Sequence, residues 1–255
     1  MRMRSDLFFR GSRPPARFLV LISVALIAAG CASAPQPVLR HELGEALGQG
    51  RGRLVGSLEL ARAFPVVPAN FAGTGLQQEG SIFRGGVAGL MGAYGIHPKV
   101  DLSLRTVFSS NGAGWRFGAK YTVLQAGNLG VGVLAGYGRS SGTGENTYFT
   151  DVGEEQVEQT LSTRMVDFGA PVSWRLAKDS VLYGGVNYYS VSYSGSAATT
   201  VVSDSAGDIG FNLGFRQGFG RFDVALEMAM VKVSGTFSEN MGFVPYFGLS
   251  GGIGF

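Results

Sequence analysis

One cysteine among 255 residues leaves this chain no internal disulfide and no thiolate metal cluster. Nine prolines, beside 41 glycines that follow no strict triplet, exclude a collagen-like repeat. Charged residues are 15% of the chain against a usual share of roughly 25%, which excludes a highly charged disordered protein. No apolar run reaches the 18 residues that a membrane-spanning helix needs. Metal and nucleotide signatures such as HExxH, Walker A, the EF-hand and paired CxxC are missing too. Glycine, by contrast, stands at more than twice its usual roughly 7%. Each one costs a helix interior about 1 kcal/mol relative to Ala, which argues against long helices.

The first thirty residues differ from the rest. Arg2, Arg4, Arg10, Arg13 and Arg17 stand against one acid, Asp6, and are followed by the apolar stretch Phe18 to Gly30. A basic start and a short apolar run form a secretory signal peptide. The stretch ends Leu26-Ile27-Ala28-Ala29-Gly30-Cys31, which resembles the lipobox of bacterial lipoproteins. That resemblance implies a lipidated Cys31 as the new N-terminus. Cleavage after Ala32-Ser33-Ala34 is the alternative, although Pro35 would then follow the cut. Residues 1–30 take five Arg and one Asp from the totals of 21 basic and 18 acidic residues, leaving 16 against 17. The mature chain is close to neutral, so its basic pI of about 9.1 gives no support to nucleic-acid binding.

Residues 31–52 are polar, carry Pro and Gly, and lack a period of two; they read as a periplasmic tether. From Arg53 onward, large apolar residues alternate with small or polar ones. Val100, Leu102, Leu104, Thr106 and Phe108 share one face, and Asp101, Ser103 and Arg105 the other. Trp115, Phe117, Ala119, Tyr121 and Val123 alternate with Arg116, Gly118, Lys120 and Thr122. The same holds for 129–137, 209–216 and 222–230, and less tidily for 54–64, 86–96, 164–176 and 181–193. Pro171 predicts a bulge in one of these, because proline donates nothing to a ladder. Period-two alternation in segments of about ten residues is the pattern of a barrel with one face to lipid and one to its lumen. The expectation is an all-β, antiparallel up-and-down transmembrane β-barrel over 53–255. Ten strands are counted, and the less tidy segments leave eight or twelve open. Tight turns at 97–99, 125–128, 177–180 and 218–220 alternate with longer loops at 65–84, 109–114, 139–162, 194–207 and 234–243. An even strand count with short inner turns places both chain ends in the periplasm.

The final segment, Pro245 to Phe255, sets Phe247, Leu249, Ile253 and Phe255 on one face and ends on the aromatic. It resembles the C-terminal signal by which barrel-assembly machinery recognises Gram-negative outer-membrane barrels. The chain from 53 to 255 is similar to small outer-membrane barrels of the broad OmpA-like class. The resemblance implies an outer-membrane location and outer-membrane lipids as neighbours. Trp115 and Trp174 fall near strand ends, where aromatic girdles lie.

The inward face carries Glu59, Asp101, Asp167, Asp223 and Glu227 against Arg105, Arg116, Lys120, Arg175 and Arg216. Five charges of each sign in a narrow lumen read as a paired network that fills it, because unpaired buried charge is costly. The turn at 218–220 predicts Arg216 opposite Asp223 and Asn212 opposite Glu227. The turn at 125–128 predicts Arg116 beside Gly136 and Lys120 beside Gly132.

Candidates for chemistry are few. Gly248-Leu-Ser-Gly-Gly252 matches G-x-S-x-G, but within a strand rather than at a strand-to-helix turn. His41 falls in the tether and His97 in a periplasmic turn, so neither joins a site at the outer rim, and omptin-like protease and lipid A deacylase readings lose support. Glu145, Asp151, Glu154, Glu155 and Glu158 share the 139–162 loop. They offer a weak cation site or a contact for an external ligand, and more simply a solvated loop tip. No cofactor, resident metal or nucleic acid is expected. The leading expectation is a non-enzymatic envelope protein with a filled lumen; a narrow solute channel is the second, and a lipid-modifying enzyme the third.

Overall fold

The computed structural model describes residues 39–63, 83–150, 153–197, 200–232 and 243–255. Its ten strands are β1 (Gly52–Ala63), β2 (Phe83–His97), β3 (Val100–Ser109), β4 (Gly112–Ala126), β5 (Leu129–Thr150), β6 (Gly153–Ala177), β7 (Ser180–Ala197), β8 (Thr200–Phe219), β9 (Phe222–Lys232) and β10 (Phe243–Gly254). Each pairs antiparallel with its sequence neighbour, and β1 pairs with β10 to close the barrel. The physical cause is the alternation itself. In β4, buried and exposed positions exchange at every step from Ala113 to Leu124 but for one pair, Leu124 sharing the exposed face with Val123 at a bulge. Leu104, Phe117, Phe168, Leu213, Leu226 and Leu249 are all about half exposed on the outer surface. A belt of that kind matches bilayer hydrocarbon and would be a large unpartnered patch in water.

In β2, where the alternation is less tidy, Val87 and Met91 point inward, while Leu90, Tyr94 and Ile96 point outward. The tight turns lie where the sequence puts them, at 98–99, 127–128, 178–179 and 220–221, on one end of the barrel. Gly127 and Gly220 adopt φ of 56° and 71° there, which only glycine adopts freely.

Several expectations are corrected. The expected longer loop at 109–114 is a two-residue turn between Ser109 and Gly112. The stretches 139–162 and 194–207 are not loops either: β5 and β6 continue through 22 and 25 residues, β7 and β8 through 18 and 20. About ten residues suffice to cross a bilayer as a tilted strand, so these four project beyond the apolar belt. Their polar sequence hides strand pairing that needs no apolar face once both sides are wet. Pro171 causes no bulge. The β6–β7 ladder runs through it without a shift, and the β5–β6 register is the same on either side of it. The bulges fall at Gly95/His97, Thr122/Leu124 and Arg175/Ala177. Registers also differ from expectation by two residues. Arg216 pairs with Ala225, Gly218 with Asp223, and Gly214 with Glu227; Arg116 pairs with Gly138 and Lys120 with Leu134. Tighter turns and the bulge at 122–124 account for the offset.

Candidate functional site

The largest departure from the sequence reading is the segment taken as a tether. Residues 31–38, Cys31 included, lie outside the described residues. Residues 39–48 run inside the barrel. Gly50 N–H donates to Gly95 O (2.8 Å) at the end carrying the tight turns. From there the chain passes inward to Leu39, fully buried among Met165, Tyr189, Val191, Val231, Val244 and Tyr246. The physical reason lies in barrel size. Eight strands enclose a space that wall side chains fill, and wider barrels leave a cavity or channel. Ten strands need extra material, and this segment supplies it.

Its backbone is satisfied by the wall, as any buried peptide must be. The Glu227 carboxylate accepts the Arg40 N–H (2.8 Å) and the His41 N–H (2.7 Å), together with Tyr183 Oη–H (3.1 Å) and Asn212 Nδ2–H (3.2 Å). The His41 carbonyl accepts from Arg53 (3.1 Å) and Arg216 (2.7 Å). Lys120 Nζ donates to the carbonyls of Leu43 (2.9 Å) and Glu45 (2.8 Å), and Thr122 to that of Gly44 (3.3 Å). Asp101 accepts the Leu47 N–H at 3.1 Å. These bonds hold His41 at φ 51°, a left-handed conformation that a non-glycine residue keeps only when its surroundings determine it.

Side chains complete the seating. Arg40 reaches Asp167 (2.9 Å) and lies over the Tyr189 ring. Glu42 accepts from Ser103 (3.1 Å) and sits 3.5 Å from Arg116. The His41 ring lies 3.2 Å from Glu227 and 3.8 Å from Glu59. Gly44 is required by close approach, because a Cβ there would run into the backbone of Gly130 and Pro171.

The expected lumen charges can now be placed. Arg116 makes a two-pronged bond to Asp167, both distances 2.8 Å. Its guanidinium lies across Gly136, so glycine there does give the side chain room, although the paired residue is Gly138. Gly132 instead makes space for the Gly44 carbonyl. Arg105 bonds Glu59, and Lys120 sits 3.0 Å from Asp101. Asp223 pairs mainly with Arg53, which the sequence reading left out, and stands 3.9 Å from Arg216. Despite the register offset, Asn212 still reaches Glu227 diagonally. Arg175 faces inward as expected, opposite buried Val181, but at the mouth of the lumen rather than deep within it. It is about half exposed at the turn end, where it holds Glu45 of the inserted segment (2.8 and 2.9 Å).

Phe247, Leu249, Ile253 and Phe255 point outward, with Phe255 the most exposed of them. Trp174 is exposed near the turn end, where it pairs with Leu129. Trp115 meets Tyr137 edge-on at 5.7 Å. Of the acidic group at 145–158, Glu145, Glu154, Glu155 and Glu158 lie on strand backbone whose side chains are outside the described residues, as is Asp151 altogether. Ser250 of G-x-S-x-G is buried inside β10 with no strand-to-helix turn. His97 is exposed beside its turn, its Nδ1 accepting the Lys99 N–H. Among the described residues no group of three potential metal ligands assembles. A cavity of about 420 Å³ remains at the turn end, bordered by His41, Glu42, Arg53, Lys120, Arg175 and Arg216.

No family model and no curated protein matches the chain. Among solved structures it is similar to the outer membrane protease OmpT from Escherichia coli, at 12% identity, over 83% of this chain and 99% of that one, with a TM-score of 0.51. What the two share is a fold. The translocator domain of the autotransporter NalP from Neisseria meningitidis (10% identity, 94% of each chain, TM-score 0.46) and Ail of Yersinia pestis (13%, 81% and 99%, 0.39) are more distant in shape.

Proposed function

We propose that this chain is an integral outer-membrane β-barrel, closed by its own residues 39–48 and serving the envelope as a non-enzymatic structural or surface-interacting protein. The observation that carries this reading is the inserted segment, which occupies the lumen and uses its charged groups. Glu227, Asp101, Lys120, Arg53 and Arg216 are all engaged in holding chain, which leaves them unavailable to a passing solute or substrate. The apolar belt, the short turns at one end and the long strands at the other support an orientation with the start of β1 and the end of β10 at the periplasmic side. The inserted segment then runs the depth of the belt, because Leu39 packs on Met165 and Val191, beside Arg164 and Ser192 at the far edge, so the strand count alone does not carry the N-terminus back to the periplasm. The lipobox resemblance supports a lipid on Cys31. That residue precedes Leu39 by eight positions, a reach of at most about 29 Å.

Planar-bilayer recording on the mature full-length protein tests the closed lumen. The expected result is an absence of reproducible single-channel steps. Regular steps from the unaltered protein would overturn the reading in favour of a narrow solute channel, and changed lipid A or phospholipid masses on overexpression would overturn it in favour of an enzyme.

A further inference from the structure

The outward faces of β5, β6 and β7 change character at one level. On β5, Val133 and Tyr137 give way to Arg139 and Ser141; on β6, Phe168 and Val166 give way to Arg164 and Ser162; on β7, Val186 and Tyr188 give way to Ser190 and Ser192. All of these side chains are exposed. This boundary is the edge of the apolar belt on the side of the long strands.

Two arginines occupy it side by side. Arg139 and Arg164 are direct partners in the β5–β6 ladder. Like charges so placed repel and weaken a sheet, and among the described residues no carboxylate pairs with either. Arg139 is held in place: its Nε donates to Tyr137 Oη (2.7 Å), and its guanidinium lies 5.9 Å from that ring. Tyr137 is in turn braced by Trp115. With Nε committed, no partner among the described residues occupies the two terminal nitrogens of Arg139. Ser192 lies opposite Arg164 on its other side, adding a hydroxyl at the same level.

Each guanidinium is a planar fork of donors that takes phosphate oxygens in parallel bonds, and the ladder sets the two residues side by side on one face. Apolar surface begins directly below them, on Tyr137 and Val166, and serine hydroxyls lie directly above. A free anion would use only the arginines. A ligand with a phosphate at the interface, acyl chains below and a polar headgroup above uses all three zones.

We propose that Arg139 and Arg164 form a binding site for the phosphate of a membrane lipid, whose acyl chains lie along the outer faces of β5 and β6. The proposal rests on the bilayer setting argued above.

Native mass spectrometry on the full-length protein, released from neutral detergent, tests it with diphosphorylated lipid A and the same lipid stripped of its phosphates. The expected result is a preference for the phosphorylated form of roughly tenfold or more. Arg139→Gln with Arg164→Gln should abolish that preference, and Lys at both positions should keep part of it. Lys99→Gln with Lys178→Gln, at the turn end, should leave it unchanged. Equal binding of both lipids by the unaltered protein, or an undiminished preference in the double Gln variant, would overturn the site. Complete displacement of the lipid by millimolar inorganic phosphate would reassign it to a free anion and overturn the lipid. Each protein is first checked for faster migration unheated than boiled on a detergent gel. If the double variant lacks the fast band, Arg164→Gln alone, which spares the Arg139–Tyr137 bond, carries the comparison. A missing fast band in the unaltered protein would sink the barrel reading itself, whereas a present band without lipid preference sinks only the site.

Discussion

Replacing Glu227 by Ala should loosen one end of the inserted segment and leave the other end seated. The Glu227 carboxylate is the acceptor for two of the segment's amides, those of Arg40 and His41, at 2.8 and 2.7 Å. A hydrogen bond to an ionised group contributes roughly 1.5–3 kcal/mol, so losing both raises the free energy of this end by about 3–6 kcal/mol relative to its opened form. At 1.4 kcal/mol per factor of ten, local opening becomes roughly a hundredfold to ten-thousandfold more frequent. Amide hydrogen exchange reads that opening directly, and in Glu227→Ala the amides of Arg40 and His41 should accelerate by that factor. Glu227→Gln keeps one oxygen acceptor but turns an NH2 group toward the other donor, so its effect should fall between. The Leu47 amide is an internal control, because its acceptor is Asp101; its exchange should not change. Unaltered exchange at Arg40 and His41 in Glu227→Ala would refute the claim that this carboxylate holds the segment. Equal acceleration at Leu47 would show that the segment leaves as one body.

The remaining expectations follow the same contacts. Gly44→Val forces a branched side chain against the backbone of Gly130 and Pro171; it should unseat the segment and produce conductance in planar bilayers where the unaltered protein shows none. Asp167→Ala strips Arg116 and Arg40 of their shared buried carboxylate. A broken buried pair costs about 3–5 kcal/mol, which should lower the temperature at which the fast-migrating gel band is lost. Arg175→Gln removes an ion pair that is about half exposed on the arginine side; it should cost about 1 kcal/mol or less and change the same temperature little. Metabolic palmitate labelling should disappear in Cys31→Ala; normally processed protein that carries no label before the substitution would favour cleavage after Ala34.

The barrel was legible because strand alternation and turn chemistry are local. Val100–Phe108 and Trp115–Val123 declare their outer faces residue by residue, since period two sorts side chains without reference to anything distant. Glycine turns fix where strands begin. Register was less legible: a bulge at Thr122/Leu124 shifts every pairing above it by a step that the apolar pattern alone does not reveal. The strand extensions of β5 to β8 were hidden for a related reason. Beyond the belt both faces meet polar surroundings, and the alternation that identifies a strand disappears.

The sequence alone therefore determined most of the wall: which side chains face out on all strands but β2, which charges face in apart from Arg53, and roughly how many strands surround them. It did not determine what fills the lumen. Residues 39–48 carry no periodic signal, because the segment is neither helix nor strand, and its hydrogen bonds go to side chains 12 to 187 positions away. Only closure of ten strands brings Glu227, Arg216, Lys120 and Asp101 into one space around it. The wall follows from local pattern, and the plug from geometry that exists only once the wall has closed.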